Sequence, residues 1–267
     1  MRAIEILWAG LFRLFCGATL VFLVLPLLVV APLAFNDSDF LTYPMRGFSL
    51  RWIEEILLSD QWLPPIRNSL FISTCAALIA TMLGTAAALG LSKTRTFWRA
   101  PQMGLFLMPV VMPIAVLAVG TYLAFVRWGL QGTFAGLILV HAGLGVPFVV
   151  TTVAATLKGY DERLFRAALS LGAPPLTAFR QVTLPLILPG VLAGTVFAFS
   201  VSFDEVITSL FLAGPSQRTL PLQMFSGMRE NVSPAIAAAA LFMMVTAVLL
   251  LLTVEWLRRR AARRQGG

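Results

Sequence analysis

Six stretches of this sequence are apolar enough, over enough residues, to cross a lipid bilayer, which leaves little room for any other fold. A helix spans hydrocarbon about 30 Å deep with about 20 apolar residues at 1.5 Å each. Windows of that kind lie at 14–35, 69–91, 103–124, 134–157, 186–203 and 234–256. The fifth is the shortest, and it contains Pro189, Gly190, Gly194 and Ser202. Charged residues make up 12% of the chain and hydrophobic ones 58%, against roughly 25% and 45–50% in soluble domains. A soluble enzyme or DNA-binding module is thereby excluded. The expectation is an all-α membrane protein, a bundle of six transmembrane helices forming one domain over residues 1–267. The first window exceeds a secretory h-region of about 7–15 residues, and no small-residue cleavage site precedes Asn36. It therefore reads as a membrane helix and not as a cleaved leader.

Lys and Arg favour the cytoplasmic side of a membrane. With the N-terminus inside, fourteen of the twenty basic residues fall in inner segments, among them Lys93, Arg99, Lys158, Arg163, Arg166 and Arg180. The outer segments hold Arg46, Arg51, Arg67, Arg127, Arg218 and Arg229, set against eight of the twelve acids. Both termini are therefore expected in the cytoplasm. The tail cluster Arg258, Arg259, Arg260, Arg263 and Arg264 reads as a topology signal that touches lipid headgroups. Because the basic residues gather in short blocks between apolar runs instead of lining one face, nucleic acid is not an expected partner. Cys16 and Cys75 fall inside predicted spans and read as small buried hydrophobes.

Pro26, Pro32, Pro109, Pro113 and Pro147 lie inside the apolar windows, where each removes a backbone hydrogen bond and kinks its helix. Glycines such as Gly84, Gly145, Gly190 and Gly194, with many alanines, permit close helix contact in a medium where packing replaces the hydrophobic effect. A packed bundle is expected, not a set of separate anchors.

The chemistry that is missing is informative. Neither Lys93 nor Lys158 follows a G-x-x-x-x-G loop, so the chain is not expected to hydrolyse ATP. His141, the only histidine, has no Asp, Glu or Cys at metal-ligand spacing, and it reads as a helix-packing hydrogen bond. Ser200, Ser202 and Ser209 have no histidine in the same loop, which leaves a hydrolase poorly supported. No metal site is expected.

The long connection at 158–185 carries the strongest pattern. Leu164, Ala167, Ala168 and Leu171 recur at helical spacing, and Asp161 and Glu162 stand where a helix dipole favours negative charge. Gly172 sits at a C-terminal cap position, and Pro174 and Pro175 prevent continuation. Such a short amphipathic helix suits lipid headgroups or a groove in a partner protein.

Ala167, Ala168 and Gly172, then nine residues, then Val182 to Pro185 resemble the E-A-A, three residues, G, nine residues, I-x-L-P pattern of membrane subunits of ATP-binding-cassette importers. This resemblance implies a type I importer permease bundle in a bacterial inner membrane. It also implies that 158–185 holds the coupling helix docking on an ATPase, through Asp161, Arg166, Ala167, Ala168, Leu171, Gly172, Leu184 and Pro185. Arg166 stands where the family has its acid. The likeness extends from FNDS at 35–38 through GFSLRW at 47–52 and RNSL at 67–70 to SFDEV at 202–206, GPSQRTLP at 214–221 and NVSP at 231–234. Within the importers it is most similar to spermidine/putrescine-type permeases, as the second of two membrane subunits. The partners so implied are a homologous second permease, a cytoplasmic ATPase dimer that binds the ATP and magnesium, a periplasmic solute-binding protein and lipid. No cofactor is expected on this chain itself. The expected solute is a polyamine or a similar small cation. The alternatives are another small solute, or a stand-alone secondary transporter, which the absence of acids from the middle of the spans disfavours.

Asp204 and Glu205 fall at the outer end of the fifth window, either as carboxylates that attract a polycation or as a solvated helix end. Phe203 and Trp52 lie near that outer face, either as cation-π partners of an ammonium or as an interfacial aromatic belt.

Overall fold

The computed structural model describes residues 2–45, 47–94, 96–230 and 233–265. Arg46, Arg95 and the first two residues of the NVSP stretch, Asn231 and Val232, lie outside these residues. So do the side chains of Arg2, Glu5, Glu230, Arg258, Arg260, Arg263 and Arg264.

Among the described residues five helices are long and apolar enough to cross a membrane: Trp8–Leu33, Leu63–Lys93, Phe134–Leu157, Pro175–Phe203 and Pro234–Trp256. They contain five of the six expected windows, or nearly all of each. The fifth window is not short after all, since its helical path runs for 29 residues. The third expected span, 103–124, is corrected. It is two helices, Phe97–Val111 and Ile114–Arg127, that meet at 96° and amount to one crossing only if the bent pair is counted together. Pro113 causes the break, because it has no N–H to donate and its ring forces Met112 out of the helical region.

The helices fall into two compact units. The first comprises Met1–Leu63 and Ser226–Val245. Its α1 (Arg2–Leu33) buries none of its apolar window against the chain. Lipid tails solvate such a surface as well as protein does, so the exposure is no defect in a bilayer. After α1 the chain folds back through one antiparallel bridge between Asn36 and Phe48. Asn36 is fully buried, and its amide donates to the Phe40 and Thr42 carbonyls at 3.4 Å each. Beside it Phe35 and Phe48 stack at 5.2 Å. The amphipathic α2 (Arg51–Leu58) then buries Trp52 and Ile56.

The second unit comprises Pro64–Phe225 and Thr246–Gly267. Its centre is the contact among α3 (Leu63–Lys93), α6 (Phe134–Leu157) and α9 (Leu184–Phe203), built on Ala77, Ala80, Val149, Val153, Val191 and Ala198. Small residues bring the backbones together. A Cβ on Gly145 would lie 2.9 Å from the Ala198 Cβ, and one on Gly194 would lie 2.5 Å from Thr152 Oγ1 and 2.9 Å from the Val149 Cα. Across α3 and α9, Thr81 and Thr195 share a hydrogen bond of 2.8 Å. A second cluster joins Ile72 of α3 and Leu137 and Val140 of α6 to Leu212 of α10 (Ile207–Leu212), with Leu117 and Phe125 of α5 (Ile114–Arg127) against it.

Two stretches distant in sequence meet in this unit. Asn68 of the RNSL stretch donates to the Ser216 and Arg218 carbonyls at 2.9 Å each, and Ser69 Oγ accepts from the Leu220 N–H at 2.8 Å. The loop at 214–220 is thereby tied to the start of α3.

Overpacking a close helix contact costs about 1–3 kcal/mol. Gly194→Ala is therefore expected to lower the thermal unfolding midpoint of the detergent-solubilised protein. Gly90→Ala, whose Cβ would meet nothing within 4 Å, is expected to hold or slightly raise the midpoint, because alanine favours a helix over glycine. Equal midpoints for the two variants would contradict the packing account.

Candidate functional site: a surface helix and a helix break

The connection between α6 and α9 contains α7 (Glu162–Ser170), the helix that the apolar spacing predicts. Asp161 caps it, its side chain accepting from the Arg163 N–H at 2.9 Å. Glu162 and Arg166 form an exposed pair one turn apart, at 3.2 Å. The helix closes on Gly172, at φ +88°. There the Ala173 N–H donates to the Ala168 carbonyl at 3.1 Å and the Gly172 N–H to the Leu169 carbonyl at 2.9 Å. This paired closure needs a left-handed residue, which glycine supplies without strain.

The apolar stripe is not packed on the chain itself. Three of its four residues, Leu164, Ala167 and Leu171, are exposed, Leu171 to 88%, whereas Ala168 at its edge and the neighbouring Phe165 are half-buried. A surface helix that turns leucines outward presents a docking face. Behind it lies a cavity of about 300 Å³, bounded by Leu89 and Lys93 of α3, Leu157, Tyr160, Phe165 and Phe179. The Lys93 ammonium lies 6.0 Å over the Phe165 ring.

From Gly172 the chain passes through α8 (Pro175–Ala178) and a π-helical turn, Phe179–Thr183, into α9. The Leu184 N–H donates to the Phe179 carbonyl five residues back. Pro185, which has no N–H, makes no bond into that turn. Leu184 packs on the α3–α6–α9 core, Pro185 is exposed, and Thr183 bonds the Tyr160 hydroxyl at 2.9 Å. Asp161, Arg166, Ala167, Ala168, Leu171 and Gly172 are thus gathered on one short helix. Leu184 and Pro185 stand apart from them at the root of α9.

The second region is the break between α9 and α10. Ser202 and Phe203 are buried on the last turn of α9, and Phe203 stacks on Phe199 at 5.6 Å. Asp204 follows as the C-cap, exposed, with no ion-pair partner among the described residues. Glu205 is buried, and its Oε1 accepts from the Thr208 N–H at 2.8 Å, capping the first turn of α10. Burial pushes the pKa of both carboxyls up from their ordinary values; for Glu205 the bonds from Thr208 and Ile207 oppose that rise. The two neighbouring acids therefore have different tasks: Glu205 holds the backbone, and Asp204 is left open.

Trp52 belongs to the other unit and is described within it. It is buried, the Arg51 guanidinium lies 4.4 Å over its ring, and Arg51 also pairs with Asp39. One aromatic face thus already carries a cation from the chain itself.

Spacing along the chain gives no sign of what His141 does at the break. Its Nδ1 lies 2.8 Å from Ser202 Oγ and its Nε2 3.3 Å from Ser209 Oγ, although the residues are 61 and 68 positions apart. Both ring nitrogens face hydroxyls, so no carboxylate orients the imidazole as a general base would require. Among the described residues no three His, Cys, Asp or Glu side chains gather as metal ligands.

The profile of the family described as binding-protein-dependent transport system inner membrane component matches residues 80–264. The spermidine/putrescine transport system permease protein PotC of Escherichia coli K12 is 34% identical over 224 residues, covering 84% of each chain. The putrescine transport system permease protein PotI of the same organism is 33% identical, covering 81% of this chain and 79% of its own. Among solved structures, a bacterial ABC transporter involved in the import of the acidic polysaccharide alginate superposes with a TM-score of 0.70 at 17% identity, over 97% of this chain and 96% of that one. The fold is that of an ABC importer permease, a multi-pass membrane protein. The chain belongs to the family of binding-protein-dependent transport system inner membrane components.

Gly172→Ala places a Cβ at a left-handed backbone position and is expected to loosen the closure of α7 by about 1 kcal/mol. Hydrogen exchange at the Gly172 and Ala173 amides is expected to quicken several-fold; unchanged exchange would contradict the closure described here.

Proposed function

We propose that this chain is one of two membrane-spanning permease subunits of an ATP-driven importer that takes up a polyamine or a similar small cationic solute. The reading rests on one observation above all: a carboxylate, Asp204, without an ion-pair partner among the described residues, at a helix break inside a permease fold whose relatives are named for spermidine and putrescine. A carboxylate left open at such a break, with no cation of the described chain beside it, attracts a cationic solute. Glu205 supports the geometry by capping the turn beside Asp204, and Phe203, stacked on Phe199, stiffens the end of α9 on which the acid sits.

On this reading the chain hydrolyses no ATP. A partner ATPase dimer binds ATP and magnesium, docks on the outward leucines of α7, and lies on the cytoplasmic side with both termini of this chain. A homologous permease completes the path, and a periplasmic binding protein delivers solute to the opposite face. ATP binding draws the ATPases together, α7 carries that motion into α9, and the path near Asp204 opens outward; hydrolysis resets it. Such a cycle runs only if solute and nucleotide bind the two states with different affinity. Arg166, where the family has an acid, pairs with Glu162 here. The docking contact in this chain is therefore carried by the apolar stripe more than by charge.

Two experiments test these roles. Gly172→Trp is expected to leave the chain in the membrane while separating ATPase activity from uptake; normal uptake by this variant would sink the docking assignment. Asp204→Asn is expected to slow uptake of putrescine and spermidine by about tenfold, as expected for loss of a charge-assisted contact, with the complex still assembled. Unchanged uptake would return Asp204 to the status of a solvated helix end.

A further inference from the structure

The break between α9 and α10 consists of three residues, Asp204, Glu205 and Val206, between the last turn of one helix and the first of the next. Two side-chain contacts order it from within: the Glu205 carboxylate on the Thr208 N–H at 2.8 Å and the Ser209 hydroxyl on the Glu205 carbonyl at 3.3 Å. Both are local to α10 and its approach, and neither ties the break to the rest of the bundle. His141 does. It is 1% exposed on α6, and its ring lies between Ser202, before the break, and Ser209, after it. With the Ser209 hydroxyl donating to the Glu205 carbonyl, the tautomer that fits is the one whose Nε2–H donates to Ser209 Oγ. Nδ1 then accepts from the Ser202 hydroxyl, so one neutral tautomer serves both contacts. Removing the imidazole leaves two buried hydroxyls without this partner and the break without its hydrogen-bonded tie to α6, with only the apolar packing of α9 and α10 on that helix remaining.

We propose that His141 is a positioning residue of the solute path: it pins the α9–α10 break to α6 and thereby fixes where the Asp204 carboxylate is presented. The inference rests on the reading of Asp204 as the solute-facing acid. His141 touches no solute itself, so its effect must pass through Asp204.

The test is a comparison of His141→Phe in two backgrounds, the unaltered chain and Asp204→Asn. Each variant is assembled with its partner permease and ATPase in proteoliposomes and assayed for uptake of labelled putrescine at saturating loaded binding protein. Phenylalanine keeps the ring volume and abolishes both contacts. In the unaltered background, uptake is expected to slow by about tenfold, the scale of one lost buried hydrogen bond. In Asp204→Asn the further slowing is expected to stay under about twofold, because contributions through a shared group are not additive. His141→Gln, which keeps a donor and an acceptor, is expected to recover much of the rate. Equal slowing in both backgrounds would mean that His141 merely stabilises the fold, and would overturn the proposal. A slow Asp204→Asn with a His141→Phe as fast as the unaltered chain removes this inference alone, whereas an Asp204→Asn of normal rate removes the acid reading and this inference together. Should His141→Phe fail to assemble, Ser202→Ala and Ser209→Ala provide the same comparison. Each is then expected to slow uptake only where Asp204 is intact, and slowing that adds in both backgrounds overturns the pin.

Discussion

Close packing of small residues between α6 and α9, with α3 alongside, is the contact on which the rest of the second unit depends. In lipid, helices gain little from hiding leucine, so van der Waals contact and interhelical hydrogen bonds must hold them together. Gly145 and Gly194 let the two backbones approach until alanine and threonine atoms fill the space that a side chain would need. Thr81 and Thr195 add a polar tie across α3 and α9. The segment with α7 leaves the end of α6 and returns at the start of α9. The break that carries Asp204 lies at the other end of α9, held by a histidine from α6. Both candidate regions are thus mounted on one helix pair.

Much of the architecture was legible in the sequence because hydropathy and length fix a membrane helix almost by themselves. Five spans stand where the apolar windows put them. The bend at Met112 and Pro113 was legible as a kink at Pro113 but not in its size, since 103–124 is uniformly apolar and hydropathy has no direction. The α7 segment was readable in detail because its signals are local: a capping Asp161, an apolar repeat and a closing Gly172. Composition alone did not reveal which way the stripe faces, because Leu164 and Leu171 would suit a core as well as a partner.

The helix break was legible only in part. Asp204 and Glu205 stand out as adjacent acids at the end of an apolar run, but their separate tasks depend on the turn into α10, where only Glu205 reaches the Thr208 amide. His141 was correctly readable as a packing hydrogen bond. Its partners Ser202 and Ser209 are more than sixty residues away, and nothing in a single sequence pairs them. Trp52 shows the opposite case, an aromatic of the right type whose ring face is already covered by its own neighbour, Arg51.

The twenty residues of α9 give that helix an axis of about 30 Å. Its root is the wide turn at Phe179–Thr183, and its tip is the break at Asp204. Clasped along α6, it behaves as a stiff strut rather than a flexible cord. A tilt of about 10° at the root sweeps the tip through roughly 5 Å, by the arithmetic of a lever of that length. A sweep of that size matches the diameter of an extended aliphatic chain, so on the proposed reading a small rotation at one end of this helix would suffice to admit or shut out a slender solute at the other.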